Sequence, residues 1–307
     1  MKIFVTGGGG FIGRHLTKYL LKNNYEVTIF DDLSNCTIEN IESIGKINFV
    51  KGDIRDYELL EKSMRNHDLV VHLAAKISVS DSNENQEIVM DVNVNGSRNV
   101  VKSCINLNIC KIIAISSAAV YGEGVKGIAH DENSDINPIS VYGKSKLEME
   151  NIIKEFSKKS NLNSIILRLF NVYGYGQSDV YAGVIKKFAN CAKEGKSIII
   201  YGNGDQVRDF IHVSDVVEYI VRAIKNIDGK KVEIFNIGSG NAISINQLAS
   251  KIFSIFKRNP VINYSESLIG DIKFSNSKIN KSVKVLNHLP KVELVEGISK
   301  TFCETST

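Results

Sequence analysis

The chain has 307 residues, 43% of them hydrophobic and 23% charged, and 38 Lys and Arg against 34 Asp and Glu leave a formal charge of +4. This composition excludes a disordered or collagen-like chain, and apolar runs such as Ile112 to Ile115 fall far short of the roughly 20 residues of a bilayer span. Five scattered cysteines with no Cys-x-x-Cys pair suggest neither a disulfide frame nor a metal site, and a charge this diffuse argues against nucleic acid.

Lys2 to Thr6 is a short apolar run that stops at Gly7-Gly8-Gly9-Gly10, and the next segment carries Ile12, Leu16 and Leu20 at helical spacing. The pattern predicts strand, tight turn and helix, with no leader-like apolar stretch in front, so a cytoplasmic protein is expected. Strands are predicted at Tyr25 to Phe30, closing on Asp31-Asp32, and at Ile47 to Val50, closing on Gly52-Asp53. Leu69 to Leu73 and Ile112 to Ser116 read as continuous apolar runs, as strands buried on both faces require. A long helical stretch from about Gln86 to Asn106 separates them, and a helix from about Ser140 to Ser160 and a strand at Ser164 to Leu169 follow. This alternation argues the α/β class, a Rossmann-like doubly wound parallel sheet.

After Gly174 the regularity loosens. A helix from about Gly183 to Lys193, a strand at Ile198 to Tyr201, a loop, a helix from Val213 to Lys225, a strand near Glu233 to Ile237 and a helix from Ser244 to Phe256 are predicted, with a mixed tail beyond Pro260. The chain thus divides into a first domain, 1–174, and a smaller lobe, 175–307, at the carboxyl ends of the parallel strands, with some segments able to exchange between the two.

Two motifs carry chemistry. Gly7-Gly8-x-Gly10-x-x-Gly13 in strand–turn–helix context lets backbone approach a diphosphate at a helix N-terminus. Asp31, 24 residues after Gly7 and followed by Asp32, can accept hydrogen bonds from an adenosine ribose, and an acid there repels a 2′-phosphate, which favours NAD over NADP. The second motif is Tyr142-Gly-Lys-Ser-Lys146. Residues four apart share a helix face, so the Lys146 ammonium is expected to lower the Tyr142 phenol toward the range of a general base. Tyr-x-x-x-Lys is common on helices and gains meaning from the strand ending Ile115-Ser116-Ser117, which can bring a hydroxyl to the same place.

With these segments stand His72-Leu-Ala-Ala75, Asn93-Val-Asn-Gly96, Ser116-Ser-Ala-Ala-Val-Tyr-Gly122, Arg168-Leu-Phe-Asn-Val-Tyr-Gly174, Gly202-Asn-Gly-Asp-Gln-Val-Arg-Asp-Phe-Ile-His-Val-Ser-Asp215 and Phe235-Asn-Ile-Gly-Ser-Gly240. In this order, over nearly the whole chain, they resemble the extended short-chain dehydrogenase/reductase superfamily, within it the NAD-dependent nucleotide-sugar epimerases and dehydratases, nearest the UDP-glucose 4-epimerases. The resemblance implies that Gly7, Gly10, Phe11, Ile12, Asp31 and Asp32 hold NAD, with Asp53 and Ile54 near the adenine and Ala74, Ala75 and Asn93 on the nicotinamide side. It implies Tyr142 as catalytic base, Lys146 as its tuner and a ligand of the nicotinamide ribose, and Ser117 as hydrogen-bond partner of the sugar 4-hydroxyl. Asn171 and Arg208 match positions that bind the nucleotide diphosphate; a structural salt bridge from Arg208 to Asp205 or Asp209 is the competing reading.

Ala118 and Ala119 stand where the resembling 4,6-dehydratases carry an acid pair, needed because eliminating water takes an extra acid and base. The 4-epimerase reading therefore leads, by oxidation at C4, rotation of the 4-keto sugar and hydride return. A 4,6-dehydratase, a 4-keto reductase and a non-catalytic NAD sensor are the alternatives. Two departures from that family, and one match to it at Ser275, bear on the substrate. Leu268 precedes Gly270-Asp271 where the comparable epimerases have an Arg clamping the diphosphate, with Lys273 as a replacement cation nearby. Tyr175-Gly176-Gln177 replaces a common Pro-Arg-Gln, and Ser275, four after Asp271, leaves room for an N-acetyl group. UDP-glucose and UDP-N-acetylglucosamine both stay open. Relatives commonly dimerise through helices matching 86–106 and 140–160, so a homodimer is expected.

Overall fold

The protein is described from a computed structural model, over residues 1–77, 83–177, 183–229, 231–268 and 270–303. The first half builds β1 (Lys2–Thr6), α1 (Phe11–Lys22), β2 (Glu26–Asp31), α2 (Ile38–Glu42), β3 (Asn48–Lys51), α3 (Tyr57–Met64), β4 (Leu69–His72), α4 (Asn83–Met90), α5 (Ser97–Asn106), β5 (Lys111–Ser117), α6 (Val141–Lys159) and β6 (Asn163–Leu169). The second half adds β7 (Asn171–Tyr173), α7 (Val184–Glu194), β8 (Ile198–Tyr201), β9 (Val207–His212), α8 (Val213–Asn226), β10 (Val232–Ile237), β11 (Ala242–Ser244), α9 (Ile245–Ile255), β12 (Ile262–Ser265), β13 (Phe274–Ser275), α10 (Asn280–Leu286) and α11 (Leu294–Phe302).

Among the described residues, seven strands pair in parallel in the order β10-β6-β5-β4-β1-β2-β3. The apolar runs explain why. In β4 all four residues are buried, because α1 and α8 cover one face of the sheet while α3, α5 and α6 cover the other. Leu16 and Leu20 of α1 meet Val216 and Ile220 of α8 over Val5 and Val71, while Val100, Met149 and Ile153 pack over Phe4 and Val70 on the opposite face. Each such side chain, fully buried, contributes about 2 kcal/mol.

Two elements of the second half join the layers of the first. β10 pairs with β6 at the edge of the central sheet and α8 packs on α1, although both follow residue 174. The segment read as a loop before Val213 contains β9, which pairs with β7, β11 and β13. Its charged residues hide it from periodicity: Arg208 and Asp209 interrupt the apolar run, yet Asp209 is fully buried, accepting from the backbone of Ser239 and Gly240. A third core, with Phe188, Leu248, Ile252 and Ile298, supports this lobe.

The helix expected across 86–106 is interrupted by a π-helical turn at Asp91–Gly96. The Asn93 side chain is drawn off to the backbone of Lys76 and to Ser145, while the Ser97 hydroxyl donates to the Asn93 carbonyl at 2.6 Å. Side-chain demands of this kind widen the turn, and such turns cluster at functional sites.

Candidate active site and cofactor groove

Every parallel strand ends on the same edge, so residues far apart in the chain meet there. Gly7, with φ of 70°, turns the chain out of β1, and a Cβ on it would lie 2.6 Å from the Ala74 nitrogen at the end of β4. α1 opens at Gly10 without a side-chain cap or an acidic residue in its first turn, leaving its first N–H groups for an anion.

Asp31, Asp32, Asp53, Ile54, Ala74 and Ala75 line one end of a groove over this turn. Phe11, Ile12, Ser117, Tyr142 and Lys146 line the other, and Gly7, Gly10 and Ala75 belong to both. Asp31 Oδ2 accepts from the Gly9 nitrogen at 2.9 Å and Oδ1 from that of Leu33 at 2.9 Å. Burial pushes the Asp31 carboxyl up, and those two backbone donors only partly offset it. The Arg55 fork holds Asp53 below the usual carboxylate range. A glycine turn against a bare helix N-terminus with an acid at the end of β2 fits a dinucleotide whose ribose hydroxyls are free.

Asn93 is placed differently. It is 1% exposed, lines neither end of the groove, and its amide is taken by Lys76 and Ser145, so it braces the 73–77 segment against α6.

α6 begins at Ser140, whose hydroxyl accepts from the Gly143 nitrogen at 3.0 Å. At Gly143 a Cβ would lie 2.5 Å from the Ala119 carbonyl oxygen, so only glycine lets α6 start this close to the end of β5. That approach sets Tyr142 beside Ser117. Lys146 Nζ donates to the Ile115 carbonyl at 2.8 Å and lies 5.9 Å from the centre of the Tyr142 ring.

The expected lowering of the phenol by Lys146 is not found. Burial pushes Tyr142 up to about 12, and the hydrogen bond with Ser117 is what opposes it. The same enclosure brings Lys146 down to about 8, with Glu150 opposing. Both groups share one low-dielectric crevice, which penalises the charged form of each.

A second cavity opens next to the crevice, sharing Val172 and Gln177 with it, and is lined by Asn171, Arg208, Leu268 and Asp271. Arg208 pairs with neither Asp205 nor Asp209: its Nη2 donates to Asp271 Oδ1 at 2.6 Å. Burial pulls the Arg208 guanidinium down from its ordinary value, with Asp271 and Glu123 opposing. Leu268 is 55% exposed at this wall, and Lys273 lines the adjoining cavity that shares Leu268 and Asp271. Ser275 is buried on β13, in register with Arg208, and lines none of the three spaces.

Sequence reasoning missed Gln177 at the junction, although Tyr175-Gly176-Gln177 marked the place, and Arg14, whose Nη2 donates to the Gly176 carbonyl at 2.8 Å. A guanidinium from α1 thus stands against the loop that lacks its own. It also missed Glu150, whose signal is the extension of Tyr-x-x-x-Lys by one more turn to Tyr142-x-x-x-Lys146-x-x-x-Glu150.

Residues 3–238 match the family described as the NAD dependent epimerase/dehydratase family. A putative UDP-glucose 4-epimerase of Methanocaldococcus jannaschii is 39% identical over 97% of this chain and 96% of its own length. Among solved structures, the UDP-glucose 4-epimerase of Thermotoga maritima with UDP-glucose has a TM-score of 0.90 at 33% identity, covering 98% of this chain and 97% of that one. The UDP-N-acetylglucosamine 4-epimerase of Methanobrevibacter ruminantium M1 in complex with UDP-N-acetylmuramic acid has the same score at 32% identity and the same coverage.

Proposed function

Because the chain belongs to the NAD dependent epimerase/dehydratase family, and its groove is built for that cofactor, we propose that it interconverts the C4 epimers of a UDP-hexose. The observation that carries this reading is the meeting of Ser117, Tyr142 and Lys146 in one crevice, between the dinucleotide groove and the cavity of Asn171 and Arg208. Phosphate suits Arg208, since a guanidinium pairs well with its oxygens.

In this reading Ser117 and Tyr142 grip the sugar 4-hydroxyl, and Tyr142 takes its proton as C4 is oxidised and returns it on the way back. NAD, when bound, would supply the reversible redox step at C4 and a positive charge that favours the phenolate, which burial otherwise disfavours by holding the phenol at about 12. Lys146 adds positive charge near the phenol, and its ammonium N–H groups can donate to the hydroxyl oxygens of the cofactor ribose. Asn171 and Arg208 anchor the diphosphate, leaving the sugar free to present either face. Asp31 orients the adenosine ribose, with Asp32, Asp53 and Ile54 around the adenine and Ala74 and Ala75 along the nicotinamide side. Ala118 and Ala119 offer no second acid–base pair, which separates this reading from a 4,6-dehydratase.

The test is incubation of the purified protein, without added cofactor, with UDP-glucose and separately with UDP-N-acetylglucosamine, following the C4 epimer by proton NMR. Epimer formation without net NADH is expected, and the two rates rank the sugars. A 4-keto-6-deoxy product, or no turnover even with NAD supplied, overturns the reading. We further propose a homodimer through the faces of 86–106 and 140–160, which sedimentation checks directly.

A further inference from the structure

Glu150 carries a charge that lines neither the groove nor the cavity beside it. It is fully buried, and Arg168, buried beside it, is 1% exposed. Arg168 donates from Nε to Glu150 Oε1 at 2.9 Å and from Nη2 to Oε2 at 2.7 Å; the Ser116 hydroxyl adds a third bond at 2.7 Å and Lys154 a fourth at 3.2 Å. A buried ion pair is weak evidence for stability, because an apolar pair of similar volume often serves as well. Its position suggests another use.

Tyr142, Lys146 and Glu150 follow one another at single turns along one face of α6. Ser116, which Glu150 holds, lies between Ile115, whose carbonyl anchors Lys146, and Ser117. Arg168 also donates to the Tyr121 hydroxyl at 2.9 Å, which donates to Asn236 at 2.7 Å, so one network ties β5, β6 and β10 beneath the crevice.

We propose that Glu150 is a positioning residue for the reaction: its carboxylate, locked by Arg168 and Ser116, keeps the Lys146 ammonium charged and the end of β5 in place under Tyr142 and Ser117. The proposal rests on the reading of Tyr142 and Lys146 as the catalytic pair. Glu150 is the group whose charge supports the Lys146 ammonium against burial. Other elements present to Lys146 the Ile115 carbonyl and the neutral ring of His72. The groups facing Glu150 are Ser116, Arg168, Lys154 and Lys146. Burial pushes the Glu150 carboxyl up, but the Arg168 fork, its charge and Ser116 outweigh this and hold it below the usual range.

The experiment compares the holoenzyme with its Glu150→Gln variant by the pH profile of kcat and by a 13C NMR titration of lysine Cε, with Lys146 assigned through Lys146→Arg. Loss of the carboxylate is expected to move the alkaline limb, and the Lys146 titration with it, toward acid by about one pH unit, roughly tenfold in activity on that limb. Glu150→Asp is expected to restore both. A uniform fall in kcat with the limb and the titration unmoved overturns the proposal, leaving Glu150 a structural strut. Should Glu150→Gln not fold, Glu150→Leu with Arg168→Met removes both buried charges and carries the same two outcomes. A Tyr142→Phe enzyme that stays active overturns the catalytic pair instead. That failure is distinct, since in the other case Tyr142→Phe is inactive while Glu150→Gln titrates like the parent.

Discussion

The cofactor end of the site and the nucleotide-sugar end are built by different means. At the cofactor end Gly7, Asp31, Asp53, Ala74 and Ser117 follow or finish five consecutive strands of one parallel sheet, so their spacing is backbone register. At the other end Asn171, Arg208, Leu268 and Asp271 come from short strands and loops spread over residues 171–271, joined by side-chain contacts such as Arg208 to Asp271. A site set by register tolerates little change, whereas one set by loops can be retuned to a new ligand without disturbing the sheet. Substitutions at the two ends should therefore fail in different ways, those at the first in cofactor retention or stability and those at the second in KM.

The largest effect is expected at the seam between them. Tyr142→Phe removes the proton acceptor and leaves the ring's packing, so kcat should fall by about a thousandfold while NAD stays bound to the purified protein. Absorbance of the released cofactor after acid denaturation checks the second half of this outcome. NAD lost together with activity would mean that the phenol belongs to the cofactor end alone.

His72 tests how far register depends on a single buried chain of hydrogen bonds. Ser97 donates to the Asn93 carbonyl, so its oxygen is left to accept from His72 Nε2 at 2.8 Å, and His72 Nδ1 accepts from the Thr6 hydroxyl at 2.7 Å. Burial, and secondarily the Lys146 charge, hold the imidazole at about 3. The folded value lies below the ordinary one of 6.5, so the unfolded chain binds the extra proton between the two. This contribution is complete above pH 6.5 and drains away as the pH falls toward 3. It should amount to about 4 kcal/mol by the acid end, read as the difference in urea midpoints between parent and His72→Gln across that range.

Gly7→Ala comes next. The added Cβ meets the Ala74 backbone at a positive φ, which should cost about 2 kcal/mol in stability and leave the protein largely free of NAD when purified. KM for the sugar nucleotide in the reconstituted fraction should hold, which is the sharper half of the comparison.

This division also explains what could be read beforehand. Glycine turn, Asp31, Ser117, Tyr142 and Lys146 were legible because strand ends and a helical spacing of four translate directly into position. β9 was hidden because Arg208 and Asp209 break its apolar pattern, and their burial depends on partners, Asp271 and Ser239, that periodicity cannot supply. The direction of the Tyr142 shift was misjudged for a related reason: the spacing shows that a cation is near, but not that the crevice encloses both groups enough for burial to win. The bracing role of Asn93 was hidden in the same way, because its partners Lys76 and Ser145 lie 17 and 52 residues from it.

The smallest expected effect probes the nucleotide-sugar end. Leu268 stands more than half exposed on the lining of the cavity that also holds Arg208, whose guanidinium is already shared with Asp271. Leu268→Arg adds a guanidinium to that wall without touching the sheet, so KM for a UDP-sugar should fall about threefold, with kcat and NAD content unchanged. An exposed charge pair rarely gives more than about 1 kcal/mol, which bounds the gain. If KM instead rises, the apolar wall itself contacts the ligand, and the cavity is shaped around Leu268 rather than missing an arginine. In that case retuning of the loop-built end has already happened in this chain, and the ranking of UDP-glucose against UDP-N-acetylglucosamine should invert or collapse in the same variant.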